Sequence, residues 1–411
     1  MPLPAKSIKI LVLSNKIPYP LKDGGAIATY NMLLGLSKAG HQISLLAFNT
    51  KKHYLKPGGF PKNRFKQIDI HTVYADTTPK VFSAAKNLMF SSKPYILERF
   101  NNKLFKNKLE SLLKNNTFDI IQIEGLYLLQ YSPFIRTISN GLIAYRAHNI
   151  EYEIWSNLAK NTNNFLLKYY LNNLSKRINK YEKTISNLFD LLIPISENDD
   201  TFFKQSGNIK PSHICPVGFD FQASTYPSRL NKNKYLYFIG SLDWRPNREA
   251  ILWFIDNCWQ ELKNRHPDTK LYIAGRNAPP NFAIGLNDED IIFEGEVEDA
   301  SKFISNKAIM IVPLQSGSGM RVKIIEAFLH KKAVISSTLG AIGTKSTDKK
   351  QILIADTAKA FIDKTSKLLE NDQLYERIVT NAYHLVSANF DIFKLSNSLL
   401  DFYKQELKKQ K

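Results

Sequence analysis

The sequence predicts an α/β protein with two doubly wound parallel-sheet domains in tandem. Strand-length apolar runs alternate with helical patterns along the chain, which is typical of a parallel sheet covered on both faces. The 411 residues are too many for one ordinary core, and they favour two domains of roughly 200 residues each. A segment rich in Pro, Ser, Asn and Lys, residues 216–234, separates two series of apolar runs and is predicted to be the linker.

The predicted elements follow the chain in order. The first six strands are predicted at Ile8–Leu13, Ile43–Phe48, Ile68–Val73, Ile120–Ile123, Leu142–Arg146 and Leu191–Ile195. The longest helical pattern runs from Ile150 to Phe189. The second six are predicted at Tyr235–Ile239, Leu271–Ala274, Ile291–Phe293, Ile309–Val312, Ala333–Ser336 and Gln351–Ile354. The remainder is helical, so we predict domains over residues 1–220 and 221–390 and a terminal helix over 391–411.

Composition narrows the function classes. The net charge of +19, mostly from dispersed lysines, suits anionic small molecules, an acidic membrane surface or nucleic acid, and also follows from a Lys-rich coding bias. Cys215 and Cys258 lack the spacing of a disulfide framework or a structural zinc site. No apolar window approaches the length of about 18 residues that a membrane span needs. A cytoplasmic protein is therefore expected.

The most informative motif spans residues 313–328. A buried-strand run ends at Pro313, a Gly/Ser loop follows, and a helical pattern begins near Met320. Gly317 and Gly319 leave room for a ligand to approach the backbone, and the N–H groups of a helix start favour an anion. The segment predicts a phosphate site, and a solvated strand-to-helix turn is the alternative.

Charged residues follow this loop at short spacing. Arg321 and Lys323 stand where a helix start normally favours acidic side chains. Their position makes most sense if a bound polyanion such as a diphosphate lies between them. Glu326, on the same turns, is placed to accept hydrogen bonds from sugar hydroxyls.

Strand ends in the first half carry two further candidates. Gly24 and Gly25 open a helix after the first strand, which suits either a phosphate or sugar contact or a tight turn that serves only the fold. His148 follows the strand Leu142–Arg146, where an imidazole can bind a substrate hydroxyl or move a proton. Glu124 ends the preceding strand in an equivalent position. A structural role remains the alternative for both side chains.

Three strand-end loops in the second half also carry candidates. Arg245 and Arg248 would reach a phosphate, or else lie on the surface of a capped helix start. The loops that contain Gly275 and Val297 suit a nucleoside lying across the sheet edge.

Together these loops resemble a known family. The chain is similar over nearly its full length to the retaining nucleotide-sugar glycosyltransferases of the GT-B fold, group 1 type. The resemblance rests on the order and spacing of Phe238-Ile-Gly-Ser, Ile273-Ala-Gly, Phe293-Glu-Gly-Glu-Val, Ile311-Val-Pro-Leu and Ile325-Glu-Ala-Phe. It implies two Rossmann-like domains, a catalytic cleft between them and a C-terminal helix that crosses back onto the first domain.

The resemblance also implies roles for single residues. Glu326 would bind the donor ribose, Arg321 and Lys323 would lie near the diphosphate, and His148 would lie at the reacting centre. Together with the loop candidates, the predicted donor-binding residues are Gly24, Gly25, Gly240, Arg245, Arg248, Gly275, Val297, Ser318, Gly319, Met320 and Glu326. The predicted catalytic residues are His148, Arg321 and Lys323.

The chain departs from the family pattern at two places. The family has a second glutamate eight positions before Glu326, where this chain has Ser318. The usual Gly-Arg of the first loop is Gly240-Ser241, and its distal lysine is displaced by Asn247-Arg248. These departures put the identity of the donor sugar in doubt more than they do the activity.

The expected reaction is transfer of a sugar from a nucleoside diphosphate sugar to an acceptor hydroxyl, with retention and without metal or other cofactor. The expected acceptor is a glycan or a lipid-linked glycan, and no nucleic acid partner is expected. The alternatives are a nucleotide-sugar 2-epimerase on the same fold and a non-catalytic protein that binds sugars or polyanions.

A basic amphipathic pattern adds an anionic membrane surface as a partner to test. Leu167, Leu171, Leu174, Ile178, Tyr181, Ile185 and Leu188 repeat at helical spacing, with Lys168, Lys176, Arg177, Lys180 and Lys183 between them. This make-up suits a helix on the inner face of a membrane. Burial of the stripe against its own domain is the alternative and the commoner outcome.

Overall fold

The computed structural model describes residues 7–21, 23–221, 235–283, 286, 288–316 and 320–410. Residues 222–234 of the predicted linker lie outside that range, as do Gly317, Ser318 and Gly319 of the predicted donor loop. The chain forms two compact units. The first contains Met1–Asp220 and Ile392–Lys411, and the second contains Phe221–Asp391.

The first unit is built on a parallel sheet whose strand order is β3-β2-β1-β4-β5-β6. The strands are β1 (Lys9–Ser14), β2 (Gln42–Thr50), β3 (Ile68–Ala75), β4 (Ile120–Glu124), β5 (Leu142–Ala147) and β6 (Leu191–Pro194). Its helices are α1 (Gly24–Lys38), α2 (Val81–Phe90), α3 (Tyr95–Glu98), α4 (Lys103–Asn115), α5 (Ser132–Arg136), α6 (Glu151–Lys160), α7 (Phe165–Glu182) and α8 (Glu197–Gln205).

The second unit contains a sheet of order β12-β11-β10-β7-β8-β9, also with parallel pairs. The strands are β7 (Leu236–Ile239), β8 (Leu271–Ala274), β9 (Ile291–Gly295), β10 (Ile309–Val312), β11 (Ala333–Ser336) and β12 (Leu353–Ile354). The helices are α9 (Arg245–Phe254), α10 (Gln260–Arg265), α11 (Ala300–Ser305), α12 (Val322–Leu329), α13 (Ala358–Glu370) and α14 (Asp372–Asn389). The last helix of the chain, α15 (Ile392–Lys409), belongs to the first unit.

The prediction of two doubly wound sheets is confirmed. Strand β1 illustrates why the pattern was readable, since every residue after Lys9 is buried. Ile10 and Val12 pack in one core cluster of the first unit, and Leu11 and Leu13 pack in the other. Successive side chains of a strand point to opposite faces of the sheet, so a strand covered on both faces reads as a continuous apolar run.

The two sheets have the same strand order, so the expected ligand-binding position is the same in both. In each sheet the order reverses at a central pair, β1 and β4 in the first unit and β7 and β10 in the second. Ligands of open α/β sheets bind beyond the carboxyl ends of the strands at such a reversal. In the first unit, the register places Ser14, Glu124 and Arg146 side by side at that edge.

The predicted helix from Ile150 to Phe189 is wrong in one respect, because the structure divides it. Helix α6 ends at Lys160, and Asn164 then caps α7 by accepting a hydrogen bond from the Leu167 amide, 2.9 Å. The intervening polar residues, 161–164, favour caps and turns over a helix interior.

The apolar stripe of α7 is mostly core. Leu171, Leu174 and Ile178 are buried, whereas Leu167 is exposed. Arg177 does not belong to an exposed basic face, since its guanidinium donates to the carbonyl oxygens of Asn87, Leu88 and Ser91 at the end of α2. Burial within its own unit therefore accounts for most of this stripe, while Lys168, Lys176, Lys180 and Lys183 are exposed. Binding of this helix to a membrane stays a prediction.

Candidate functional site

In the first unit, the start of α1 lies beyond the carboxyl end of β1. Asp23 caps the helix by accepting from the Ala26 amide, 2.9 Å, and pairs with Lys16, whose Nζ lies 2.6 Å from Asp23 Oδ1. Gly24 and Gly25 form the first turn. A Cβ on Gly25 would meet its nearest atom at 3.4 Å, so protein packing does not require glycine at that position.

A buried carboxylate, Glu124, is the centre of the polar residues at the ends of β4 and β5. Its Oε2 lies 2.5 Å from His148 Nε2 and 3.3 Å from Arg146 Nη1, and it accepts from Thr29 Oγ1 at 3.0 Å. Its Oε1 accepts from Gln122. The side chains of Glu124 and Arg146 are 2% and 0% exposed, whereas that of His148 is 15% exposed. His148 is therefore the member of this group that a ligand can reach.

Electrostatics keep Glu124 ionised. Burial by itself would raise the pKa of this carboxyl, but the Arg146 charge and the hydrogen bond with His148 lower it to about 2. An ionised carboxylate accepts hydrogen bonds and donates none.

Helix α6 begins directly after His148, and α7 supplies its cap. The Glu182 carboxylate accepts from the backbone amides of Glu151 and Tyr152, at 2.7 and 3.0 Å. The Tyr127 hydroxyl donates to Glu151 Oε2 at 2.6 Å. Burial raises the pKa of Glu151 to about 7 and that of Glu182 to about 8.

In the second unit, Lys323 lies in the first turn of α12 near the β7–β10 reversal. Its Nζ donates to Asn247 Oδ1 at 2.9 Å and lies 4.0 Å from the centre of the Phe238 ring. Asn247 in turn donates to the Ser241 carbonyl oxygen at 2.8 Å. Burial, with a smaller contribution from the Arg321 charge, lowers the pKa of Lys323 well below its usual value.

Arg321 immediately precedes α12, at its N-cap position. The side chain is buried, and its guanidinium carbon lies 5.2 Å from the centre of the Trp244 ring. Burial lowers the pKa of Arg321 to about 10. Two basic side chains thus stand at the amino end of a helix, where the helix dipole disfavours their charged forms and a bound anion favours them.

Glu326 lies one turn further along α12. Its side chain is half-buried, and burial raises its pKa to about 7. Among the described residues, its carboxylate makes no side-chain hydrogen bond or ion pair. A partly buried carboxylate without such partners is stabilised by hydrogen bonds from the hydroxyl groups of a ligand.

Gly240, Gly275, Val297 and Met320 lie on loops of the same sheet, and Ser318 and Gly319 lie outside the described residues. A Cβ on Gly240 would lie 3.3 Å from Lys323 Nζ, and a Cβ on Gly275 would lie 2.1 Å from the Gly240 carbonyl oxygen. Gly275 therefore has a packing role whether or not it binds a ligand. Val297 and Met320 are half-buried loop residues.

The two arginines in the first turn of α9 have protein partners. Arg245 pairs with Glu249 through a contact of 2.5 Å. Arg248 donates to the Leu242 carbonyl oxygen and so braces the loop after β7.

Sequence reasoning missed the residues that position these side chains. They are Thr29, Gln122 and Tyr403 around Glu124, and Asn247 beside Lys323. Asn247 was noted only as a departure from the family pattern. No local signal identifies the other three.

Within the described ranges, no helix has the length and apolar character to cross a bilayer. The same ranges contain no cluster of three or more His, Cys, Asp or Glu side chains suited to hold a metal ion.

Comparisons with known proteins agree with this architecture. Residues 233–371 match the family described as Glycosyl transferases group 1. A 44.6 kDa protein of the cps region of Klebsiella pneumoniae is 25% identical over 405 residues, covering 95% of this chain and 98% of that protein.

Two solved structures share the fold over nearly the whole chain. Alr3699/HepE of Anabaena, in complex with UDP and glucose, superposes with a TM-score of 0.66 at 13% identity, covering 97% of this chain and 100% of that one. Sucrose-phosphate synthase of Thermosynechococcus elongatus superposes with a TM-score of 0.71 at 14% identity, covering 98% and 99%.

Proposed function

We propose that this chain, a glycosyltransferase of the group 1 type with the GT-B fold, transfers a sugar from a nucleoside diphosphate sugar to a hydroxyl of a glycan or lipid-linked glycan, with retention and without metal. The relative from a cps region supports a role in polysaccharide synthesis. The complex of Alr3699/HepE with UDP and glucose supports a uridine nucleotide as the first donor base to test.

The observation that carries the proposal is the start of α12. Arg321 and Lys323 lie next to a helix end that favours anions, and the Glu326 carboxylate has no side-chain partner among the described residues. Cations suit a diphosphate and a carboxylate suits ribose hydroxyls, so one nucleoside diphosphate satisfies both requirements.

Charge stabilisation at this position is also the chemistry that the reaction needs. As the bond from the anomeric carbon to the diphosphate oxygen breaks, negative charge develops on the leaving diphosphate. Arg321, Lys323 and the N–H groups of α12 are suited to stabilise that charge, and we propose that they supply what a divalent cation supplies elsewhere. Activity that disappears with EDTA and returns with a divalent cation would contradict this part of the proposal.

The acceptor side is assigned to the first unit. His148, the ligand-accessible member of the group around Glu124, is proposed to contact the acceptor hydroxyl. His148→Ala is then expected to abolish transfer and to leave nucleotide affinity nearly unchanged, because the proposed nucleotide site belongs to the second unit.

The experiment that tests the donor site compares Glu326→Gln with the wild-type protein. We expect UDP, or another diphosphate from a panel of bases, to bind the variant about 10-fold or more weakly, because a neutral amide replaces the charged acceptor of the ribose hydroxyls. Glu376→Gln, which changes an exposed carboxylate on α14, is the matched control, and its affinity should remain unchanged. Equal affinity in Glu326→Gln and wild type would remove the assignment.

An assay with labelled nucleotide sugars separates the proposed reaction from the alternatives. Transfer that requires an acceptor supports the transferase. Conversion of the labelled sugar to its C2 epimer without an acceptor would identify an epimerase, and nucleotide binding without either reaction would identify a binding protein.

We also propose that the protein works at an anionic membrane surface, through the outer face of α2. Val81, Phe82, Met89 and Phe90 on this helix are 89%, 83%, 69% and 78% exposed. A helix normally turns its apolar side chains inward, so such a face favours a partner.

The charges next to this face favour an anionic bilayer as that partner. Lys80, Lys86 and Lys93 are exposed beside it, and residues 77–97 contain no Asp or Glu. Apolar side chains flanked by lysines suit insertion into the headgroup region, where each lysine adds about 1 kcal/mol near anionic lipid.

Flotation with phosphatidylserine-containing vesicles tests this surface. The double variant Phe82→Ser/Phe90→Ser should lose about 10-fold or more of its vesicle binding. Ile209→Ser, which changes a lone apolar residue that is 91% exposed, should retain it. Equal binding of both variants would exclude α2, and concentration-dependent dimerisation that the double variant abolishes would assign the face to a second copy of the chain.

A further inference from the structure

The environment of His148 determines which of its two ring nitrogens is available to a ligand. Its Nε2 lies 2.5 Å from Glu124 Oε2. Among the described residues, its Nδ1 has no hydrogen-bond partner. Because the ionised carboxylate can only accept, Nε2 must carry the proton of the neutral ring, and Nδ1 is left as an acceptor.

We propose that Glu124 is a positioning residue that holds His148 in the Nε2–H tautomer, so that Nδ1 is the atom that meets the acceptor hydroxyl. The inference rests on the proposed function for the identity of that hydroxyl. The tautomer itself follows from the geometry and does not depend on the reaction.

Glu124 is suited to orient a neighbour and unsuited to accept a proton from substrate. Its two oxygens already receive hydrogen bonds or ion pairs from His148, Arg146, Thr29 and Gln122. A carboxylate oxygen offers about two lone-pair positions, so Oε2, which receives the contacts of His148, Arg146 and Thr29, has no capacity left for a substrate proton. It is also almost fully buried, whereas His148 is not.

A second layer of contacts fixes the carboxylate. The Tyr403 hydroxyl, on α15, donates to Gln122 Oε1 at 2.8 Å, and Gln122 donates through its amide nitrogen to Glu124. Arg146 also donates to the Ala28 carbonyl oxygen of α1 at 3.1 Å. Residues on β4, β5, α1 and α15 thus define one position for the Glu124 carboxylate.

The charged and titratable groups near Glu124 come from several elements. Arg146 and His148 belong to β5 and its loop, Tyr403 to α15, and Cys215 to the segment after α8. Burial raises the pKa of the Cys215 thiol to about 11 and that of the Tyr403 hydroxyl well above its usual value. Both groups therefore stay neutral near pH 8, and Arg146 and Glu124 supply the fixed charges.

The first test reads the ring of His148 directly. In full-length protein labelled with 15N-histidine, two-bond 1H–15N correlations at pH 8 distinguish the two tautomers, and His148→Gln identifies the signals. We expect the Nε2–H form in the wild-type protein, without any substrate. Observation of the Nδ1–H form would overturn the proposal.

The second test moves the carboxylate and keeps its charge. Glu124→Asp retains a partner for Arg146 but withdraws the oxygen from Nε2. We expect kcat to fall about 10- to 100-fold, the range found for partners that orient metal-ligating histidines, and the tautomer signal to become mixed. The affinity for UDP should change less than about 2-fold, because the proposed nucleotide site belongs to the other unit.

Two further variants keep the result interpretable. Asp190→Asn removes a carboxylate that likewise holds an arginine, Arg136, and a strand amide in the first unit, and kcat should be unchanged. If Glu124→Asp does not fold, Tyr403→Phe removes only the outer hydrogen bond and should lower kcat about 2- to 5-fold.

The outcomes separate the two proposals. Unchanged kcat and an unchanged tautomer in Glu124→Asp would reject the positioning role. Absence of transfer with every donor, together with an Nε2–H ring that Glu124→Asp disturbs, would reject the proposed function and retain the positioning role.

Discussion

At the scale of single residues, the surroundings of Lys323 favour its binding to an anion. Its amine is held by Asn247 and lies over the Phe238 ring, while burial lowers its pKa. A lysine with a depressed pKa is neutral in the unliganded protein at pH values above that pKa. A bound diphosphate favours the charged form, so ligand binding must be coupled to proton uptake.

We predict that UDP binding is coupled to proton uptake at pH values above the lowered pKa of unliganded Lys323, which a pH series locates. Titration calorimetry in buffers of different ionisation enthalpy, Tris and Tricine, measures the number of protons taken up. In alkaline solution Glu326, whose pKa is about 7, is already ionised before binding and contributes little.

Lys323→Met should bind UDP more weakly and without this proton uptake. Lys302→Met, on the exposed face of α11, should behave as wild type. Equal proton uptake in Lys323→Met and wild type would assign the proton to another group.

Some contacts between residues of the candidate site could be predicted from the sequence, and others could not. Arg321, Lys323 and Glu326 fall within one short segment and share one helix start, so their proximity follows from sequence alone. The partners of Glu124 do not, because Thr29 is 95 positions away along the chain and Tyr403 is 281 positions from Gln122. Packing of α1 and α15 brings these residues together, and neither helix has a local pattern that identifies its partner.

At the scale of elements, α6 depends on a neighbouring helix for its amino-terminal cap. Glu182 of α7 caps it, and Glu151, in its first turn, is buried against Tyr127. Buried carboxyl groups with raised pKa values are protonated in the folded protein at pH values where the unfolded chain is ionised. Their effect on stability is therefore most favourable at low pH, and it is lost as pH rises through the folded pKa.

We predict that Glu151→Gln becomes progressively more stable, relative to wild type, as pH rises from about 4.5 to about 7, and that the difference levels off above pH 7. In this window Glu151 of the unfolded chain is ionised, whereas the folded carboxyl, with a pKa of about 7, still holds its proton. Glutamine retains an acceptor for Tyr127 and does not titrate. The difference in Tm between variant and wild type should widen in favour of the variant.

The exposed residue Glu110 provides the control. Its pKa is lowered, first by the hydrogen bond from Lys114, so Glu110→Gln should show a nearly constant Tm difference over the same range. A constant difference for Glu151→Gln as well would indicate that Glu151 stays in one ionisation state.

Elements differed in how well the sequence predicted them. The strands were found because a buried parallel strand reads as an unbroken apolar run. The division between α6 and α7 was not, because the apolar spacing resumes after residues 161–164 and obscures the cap at Asn164.

At the scale of the whole molecule, the first unit is completed by residues from the other end of the chain. Helix α15 packs against α1 so closely that a Cβ on Gly35 would lie 2.0 Å from Ser396 Oγ and 2.9 Å from its Cβ. Leu399, Leu400 and Tyr403 are buried in the core cluster that also contains Ile10.

We predict that Gly35→Ala lowers the stability of the protein by about 1–3 kcal/mol, since it overpacks a helix contact. Ser396→Gly removes the side chain that the new methyl group would meet, so the double variant should recover most of the loss. A double-mutant cycle by thermal unfolding measures the coupling. Strictly additive effects would show that the two helices do not meet at these residues.

The return of α15 to the first unit also fixes an order of events during synthesis. Residues 221–391 emerge from the ribosome before Ile392–Lys411 do. The second unit therefore has its whole sequence available while the first still lacks α15, although the first began to emerge earlier. Domains generally fold as units in the order of translation, but here the amino-terminal unit is finished after the unit that follows it. Until its final helix arrives, the apolar surface that α15 covers stays accessible to chaperones and to other nascent chains.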